Sequence, residues 1–493
     1  MDDSVQDEET VEGALNRTSL RRYALSAAFL SLMVAELLWL FGGWQWAQIA
    51  GRVIAIAFLL FELRLAFARF RQALLMVLAI IFSVWSALAH ADVGAVLAKA
   101  LDQATYLMAF ILLVGLLREG AQSSPAVLAC GSYLTHQPPG RRYLSLHGGS
   151  QLLSVLINFG SISLLAPLVQ RGVRAQLGLG EALTGIWRVR ERRQLCALYR
   201  GMAWVIAWAP TTITQAILPT VIPGIDPGRM VSLGLLVAAI TLGLGWLEDR
   251  LRWWPLRRRL LARGEAQNRE RPAFPARAYL DFAIVCLALI GLVIGLSFLA
   301  GVPTVPALML SCPIILVGWL LVQNRHSGTP NMLSQTGRRL GEIAGRSIPD
   351  FSIEVLTLGL AGYVGVAMAA LVPIDQVAEL LEQSPLPPWV FLTAIPVMMF
   401  AAAQVGLTSI TIGVILGTVL GALPVLPTDP TLVALALSSG WALTMIGSPF
   451  SAISLLLSRI SGYSPTVIAH RWNFVYSMLS LASFAALFYL LAG

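Results

Sequence analysis

Apolar runs of about twenty residues, separated by short arginine-bearing stretches, follow one another along almost the whole chain. A helix rises about 1.5 Å per residue, so about 20 apolar residues cross a hydrocarbon core of about 30 Å. The short alternating strands of a membrane barrel do not occur in the pattern. The expectation is therefore an all-α polytopic membrane protein. Eleven spans are expected, at about 23–41, 48–67, 73–89, 104–117, 202–222, 230–247, 279–299, 307–322, 348–371, 431–457 and 474–491.

Two apolar runs do not fit simple crossing. The run at 144–169, which contains "NFGSISLLAPLV", follows Arg141 and Arg142 and ends at Arg171 and Arg174. Counted as a full span, it sends Arg171, Arg174, Arg188, Arg190, Arg192 and Arg193 outside and inverts every later loop. Read as a re-entrant hairpin, it keeps them all in the cytosol. The run at 389–423 is too long for one span, and its flanks, "VPIDQVAELLEQSPLPP" and "PVLPTDP", carry no Lys or Arg. That hairpin should enter from outside. The N-terminus is then cytosolic and the C-terminus outside, with Lys99, Arg229 and Arg52 the basic residues facing out. Arg-rich 171–201 should lie in the cytosol or on its membrane face as an amphipathic connector.

Composition narrows the class. Hydrophobic residues make up 57% of the 493 and charged residues 12%, where a soluble domain carries roughly 25% charged. The bilayer is the solvent. The net charge of +8 is not a nucleic-acid signal, because Lys99 is the sole lysine and the arginines sit in loops between spans. Four cysteines and five histidines lack metal or redox spacing, so no metal and no cofactor are expected. Residues 1–22 form an acidic tail and 23–42 an extra first helix, too long for a cleaved signal despite Arg21-Arg22. The expected location is a bacterial-type cytoplasmic (inner) membrane. Glu62 and Arg64, ending the second span, should snorkel or pair.

The two halves echo each other. Trp204 opens "WVIAWAPTTITQAILPTVIPGIDP" and Trp441 opens "WALTMIGSPFSAISLLLSRISGYSP". Each carries a mid-membrane proline among hydroxyl residues, ends in Gly-x-x-Pro and follows a hairpin. This reads as an inverted repeat, 48–250 against 278–493, joined by a basic cytosolic linker at 251–277. The first half holds the hairpin 144–169 and a broken helix at 202–222; the second holds the hairpin 389–423 and a broken helix at 431–457.

Helices are interrupted inside membranes only where protein or a cavity takes up the freed backbone, and transporters place substrates and ions there. Four clusters fit: Asn158, Gly160, Ser161 and Ser163; Pro210, Thr211, Thr212 and Thr214; Gln404, Gly406, Thr408, Ser409 and Thr411; and Ser448, Pro449, Ser451 and Ser454. None carries a formal charge. Amides, hydroxyls and helix N-termini suit a small anion, although Ser, Thr and Gly also serve ordinary helix packing. Glu354, read as lying inside span nine, is a candidate for proton coupling; the competing reading is a helix-start carboxylate paired with a cytosolic arginine.

Two inverted halves, each with a hairpin and a broken helix, resemble the ion transporter superfamily, which includes arsenite permeases, divalent anion–sodium symporters and citrate carriers. "NFGSISLLAPL" resembles the first-hairpin stretch of the arsenite-permease branch, and "MIGSPFSAISLLL" its second broken helix. The resemblance implies a secondary transporter, commonly a homodimer, with outer helices as scaffold and hairpins plus broken helices as the mobile part. Sodium-coupled dicarboxylate members carry Ser-Asn-Thr at the hairpin tips. Here the matching places read Asn158-Phe-Gly-Ser161 and Gln404-Val-Gly-Leu-Thr408, which favours protons over sodium as the coupling ion. The expected function is ion-coupled transport of a small organic acid or inorganic oxyanion. The alternatives are a membrane-embedded enzyme or lipid-handling protein, or a non-transporting subunit of the same fold. No clustered His/Asp/Glu supports an enzyme, and no Gly-x-x-x-x-Gly-Lys supports ATP-driven pumping.

Overall fold

The computed structural model describes residues 3–89, 92–138, 140–174, 185–262, 273–326, 331–383 and 386–493. All regular structure among them is helical. Nine helices among the described residues are long and apolar enough to cross a membrane. The difference from eleven has two causes. The second run yields a shorter helix, Gln45–Phe61, ended at Glu62. The run at 202–222 is cut into pieces, Ile186–Trp204 with a 3-10 turn at Val205–Ala207, then Ile213–Val221.

The chain forms two compact units that are not its sequential halves. Unit one is Met1–Gly120 with Leu289–Leu371, and unit two is Ala121–Ala288 with Val372–Gly493. The stretches 142–222 and 388–461 therefore both lie in unit two.

In unit one, Ser352–Ala369 packs on Phe70–Ala89. Small residues bring other helices close: Gly362 faces Leu107, and Gly115 faces the Phe351 ring. Several of its charged side chains are paired inside the unit. Arg52 makes a bidentate ion pair with Asp102 at 2.6 and 2.7 Å. Glu62 is fully buried and pairs with Arg21 of the first helix at 2.6 Å, so its partner is not Arg64. The two ends are neighbours in space, which sequence distance concealed.

Unit two is built round Pro430–Gly447. Every residue of this helix from Thr431 to Gly447 is buried, as expected of a helix that is apolar on all sides. Pro388–Gln404 lies against it where Gly440 meets Met399 and Pro396. Asp429 caps the helix by accepting from Thr431 N–H at 2.7 Å, and it also pairs with Arg229. Burial alone would raise the Asp429 carboxyl, but the backbone N–H groups and the Arg229 guanidinium hold it below its ordinary value. Asp226 caps Pro227–Arg252 in the same way, at 2.8 Å from Gly228 N–H.

The Arg-rich stretch after the first hairpin departs from expectation. Residues 175–184 lie outside the described residues. Ile186–Trp204 is not a surface connector: it is buried from Gln194 to Trp204 and packs on both arms of the first hairpin. Its inner arginine is neutralised in place. Arg200, 2% exposed, donates to Asn473 Oδ1 at 2.7 Å and Glu248 at 3.0 Å, and lies 4.0 Å from the centre of the Tyr476 ring. A buried guanidinium needs that many partners. The linker at 251–277 opens with a helix, Trp254–Ala262, and its residues 263–272 lie outside the described residues.

Candidate functional site

The stretch 142–174 forms two helices, Arg142–Ile157 and Gly160–Arg174, joined by a tight turn. Asn158 turns the chain with φ 45° and ψ −122°. Ser154 Oγ and Ser161 Oγ, 2.7 Å apart, staple the two arms. The second pair is Pro388–Gln404 and Ser409–Gly421. Its turn uses Gly406 at φ +93°, a conformation open to glycine, and Thr408 caps the returning arm through Thr411 N–H at 3.2 Å.

Both broken spans are interrupted at a proline. The second runs Pro430–Gly447, then Ala452–Ser461. Pro210 and Pro449 each stand three residues before the second piece begins, and each piece has a hydroxyl residue, Thr212 or Ser451, at its N-cap. Proline lacks an N–H and pushes its predecessor into extended backbone; Ser448 accordingly has φ −102° and ψ 129°.

A break frees carbonyls that the helix no longer pairs, and the predicted hydroxyls take many of them. Thr212 donates to Ala209 O at 2.7 Å and Thr214 to Ile206 O at 2.6 Å. Ser451 donates to Met445 O at 2.7 Å and Ser454 to Ser448 O at 2.8 Å. Tyr199, from the first broken span, adds its hydroxyl 2.8 Å from Met445 O and 2.5 Å from Ser454 Oγ.

Other predicted residues tie each turn to the break that follows it. Thr211 donates to Val155 O of the first helix pair at 2.6 Å. Ser448 donates to Ala403 O of the second pair at 2.7 Å, Thr444 meets Ser409 at 2.5 Å, and Gln404 reaches Gly447 O at 3.3 Å. Gly160 faces the Gln122 amide at a turn where a side chain would crowd it. Asn158, half-buried, and Ser163, exposed, make no side-chain hydrogen bond among the described residues. These two keep their polar groups available.

Glu354 lies in the first turn of Ser352–Ala369, not deep in a span, and 3.6 Å from Arg118. This is the geometry of the competing helix-start reading. It belongs to unit one, whereas all four clusters belong to unit two.

Sequence reasoning passed over several polar groups. His470 Nε2 lies 2.9 Å from Gln404 Oε1, which places a titratable ring at the second turn. His147 is fully buried beside the Tyr143 ring, and among the described residues neither ring nitrogen is hydrogen-bonded. Glu36 is buried in the first helix of unit one. The ionisable residues within apolar runs, Glu36, Asp102 and His147, carried a signal. Among the described residues, no three His, Cys, Asp or Glu side chains gather as metal ligands.

No protein-family model matches the chain, and no curated protein sequence does. Solved structures do. The YdaH transporter of Alcanivorax borkumensis is 17% identical, with a TM-score of 0.54 over 85% of this chain and 98% of its own. MtrF of Neisseria gonorrhoeae, of a class of antimetabolite efflux pumps, is 14% identical, with a TM-score of 0.53 over 84% of this chain and 94% of its own. At such identities the likeness shows the fold: the chain is an all-α, multi-pass membrane protein with the fold of membrane transporters.

Proposed function

We propose that this protein is a secondary active transporter of a small anion, an organic acid or inorganic oxyanion, working by alternating access in a bacterial-type inner membrane. The observation that carries the reading is the repeated bond between a turn and the break that follows it, Thr211 to Val155 in the first half and Ser448 to Ala403 in the second. Interrupted helices joined in pairs are how membrane proteins expose backbone to a solute. Four helix N-termini begin at these turns and breaks, at Gly160, Ile213, Ser409 and Ala452, and positive helix ends favour an anion. The short likenesses to arsenite permeases support the same solute class.

Protons are favoured over sodium as the coupling ion. A sodium ion at a break would be held by its freed carbonyls, and Ile206, Ala209, Met445 and Ser448 carbonyls already accept hydroxyl donors. Glu354 and His470 are the proton-carrying candidates. The two helix pairs enter from opposite faces of the membrane, and unit two is the mobile part, in a homodimer. The antimetabolite export class of MtrF makes outward transport the first direction to test.

Purified protein in proteoliposomes tests the reading. Flux of labelled mono- and dicarboxylates and oxyanions is followed under a proton gradient, then a sodium gradient, each imposed in both directions. The expected result is flux of at least one anion driven by the proton gradient alone. No flux of any anion under either gradient sinks the proposal, and flux driven by sodium sinks its coupling.

A further inference from the structure

Away from the turns and breaks, unit two holds a charged cleft. It lies between the middle of Ile186–Trp204, the end of Pro227–Arg252 and Trp472. Four guanidinium groups, of Arg192, Arg193, Arg200 and Arg252, face two carboxylates there, Glu248 and Asp249. The carboxylates are spoken for. Arg193 holds Asp249 in a bidentate pair at 2.9 and 2.6 Å, and Glu248 receives Arg200 at 3.0 Å and Arg252 at 3.1 Å.

Arg192 is left over. Among the described residues no carboxylate lies within 4.0 Å of it. Its guanidinium sits 5.6 Å from the Trp253 ring and 5.7 Å from the Trp472 ring. It donates weakly to Arg471 O at 3.4 Å and also meets the Cys196 thiol. Stacking against aromatic faces orders the planar fork and leaves its N–H edge for a bidentate acceptor. The cleft thus combines surplus positive charge with a pre-ordered, incompletely used donor.

We propose that this cleft binds a phosphate-bearing anion, with Arg192 as its principal ligand. Arginine forks match phosphate oxygens in geometry as well as charge. The surroundings are those of a membrane interface. Arg190 stacks on Trp187 at 4.5 Å and Arg250 on Trp246 at 5.1 Å, while Arg258 and Arg259 are exposed on the helix that follows. Tryptophan and arginine at the end of a span mark the headgroup level, and such basic clusters recruit anionic lipids. The phosphate can belong to a lipid headgroup or to a free solute. The inference stands apart from the transport reading.

The test is native mass spectrometry of the full-length detergent-purified protein with short-chain phosphatidylglycerol, phosphatidylcholine and inorganic phosphate. Wild type should bind phosphatidylglycerol in preference to phosphatidylcholine. Arg192→Gln should weaken that binding about tenfold, and Arg192→Lys, which keeps charge but loses the fork, by a smaller factor. Arg338→Gln, an exposed arginine of the other unit, should change nothing. Competition by inorganic phosphate supports the site and makes its source a free anion; its failure to compete supports the site and makes the source a lipid. Unchanged affinity in both Arg192 variants, equal binding of the zwitterionic lipid, or an equal loss in Arg338→Gln overturns the proposal.

Discussion

Asn158 holds a backbone conformation, φ 45° and ψ −122°, that glycine adopts freely and other residues rarely. Among the described residues its side-chain amide makes no local hydrogen bond to offset the cost, which is about 1–3 kcal/mol for a residue in such a region. Strain kept at a turn tip argues for a role of the side chain. Asn158→Gly should therefore raise stability to heat in detergent by about 1 kcal/mol. The same variant should cut anion flux in proteoliposomes about tenfold, the effect of losing one well-placed hydrogen bond. A stabilised glycine variant with wild-type flux would remove Asn158 from the site. At this scale the sequence revealed which residues were polar in an apolar run, but not what they do. Ser451 and Ser454 read as ligands, yet their donors go to carbonyls freed by the break. Only the folded chain says which carbonyls those are.

At the scale of elements, a break must be braced from behind. The 3-10 turn Val205–Ala207 is backed by Gly234 of Pro227–Arg252, where a Cβ would overlap the Ala207 carbonyl. That carbonyl also accepts from Gln215 at 3.3 Å, so the bracing reaches across the break. Gly234→Ala should destabilise the protein by about 1–3 kcal/mol, the cost of overpacking a close contact. Gly243, on the same helix with open space around it, supplies the control: Gly243→Ala should be stabilising by about 0.5–1 kcal/mol. Equal effects of the two substitutions in thermal unfolding would mean that the close approach is not rigid. The prolines and flanking hydroxyls made the breaks at 210 and 449 readable, since proline acts through local sterics. Ile186–Trp204 was misread because its arginines resemble a surface helix. Arg200 is buried by Asn473 and Glu248, far off in sequence, and no local pattern reports such partners.

At the scale of the whole molecule, the sidedness of the two helix pairs decides the rest of the topology. Arginine is costly to leave on the outer face, and loop arginines orient a polytopic chain. If 144–169 crossed the membrane, the arginines at 171, 174, 188, 190, 192 and 193 would all move outside. The turn at Asn158 supplies a reversal of direction at the right place, but charge alone chooses the face. Cysteine labelling reads it directly. Cys130, Cys196 and Cys312 are buried and Cys286 is partly so, which keeps the native background low. Arg141→Cys and Arg171→Cys, both at exposed positions, should react with an impermeant maleimide only in inverted vesicles. Pro387→Cys and Ala422→Cys, at the exposed ends of the second pair, should react only in right-side-out vesicles. Opposite labelling of positions 141 and 171 would turn the first pair into a crossing. The charge rule would then have failed at six arginines together, and the inverted relation of the two halves would fall with it.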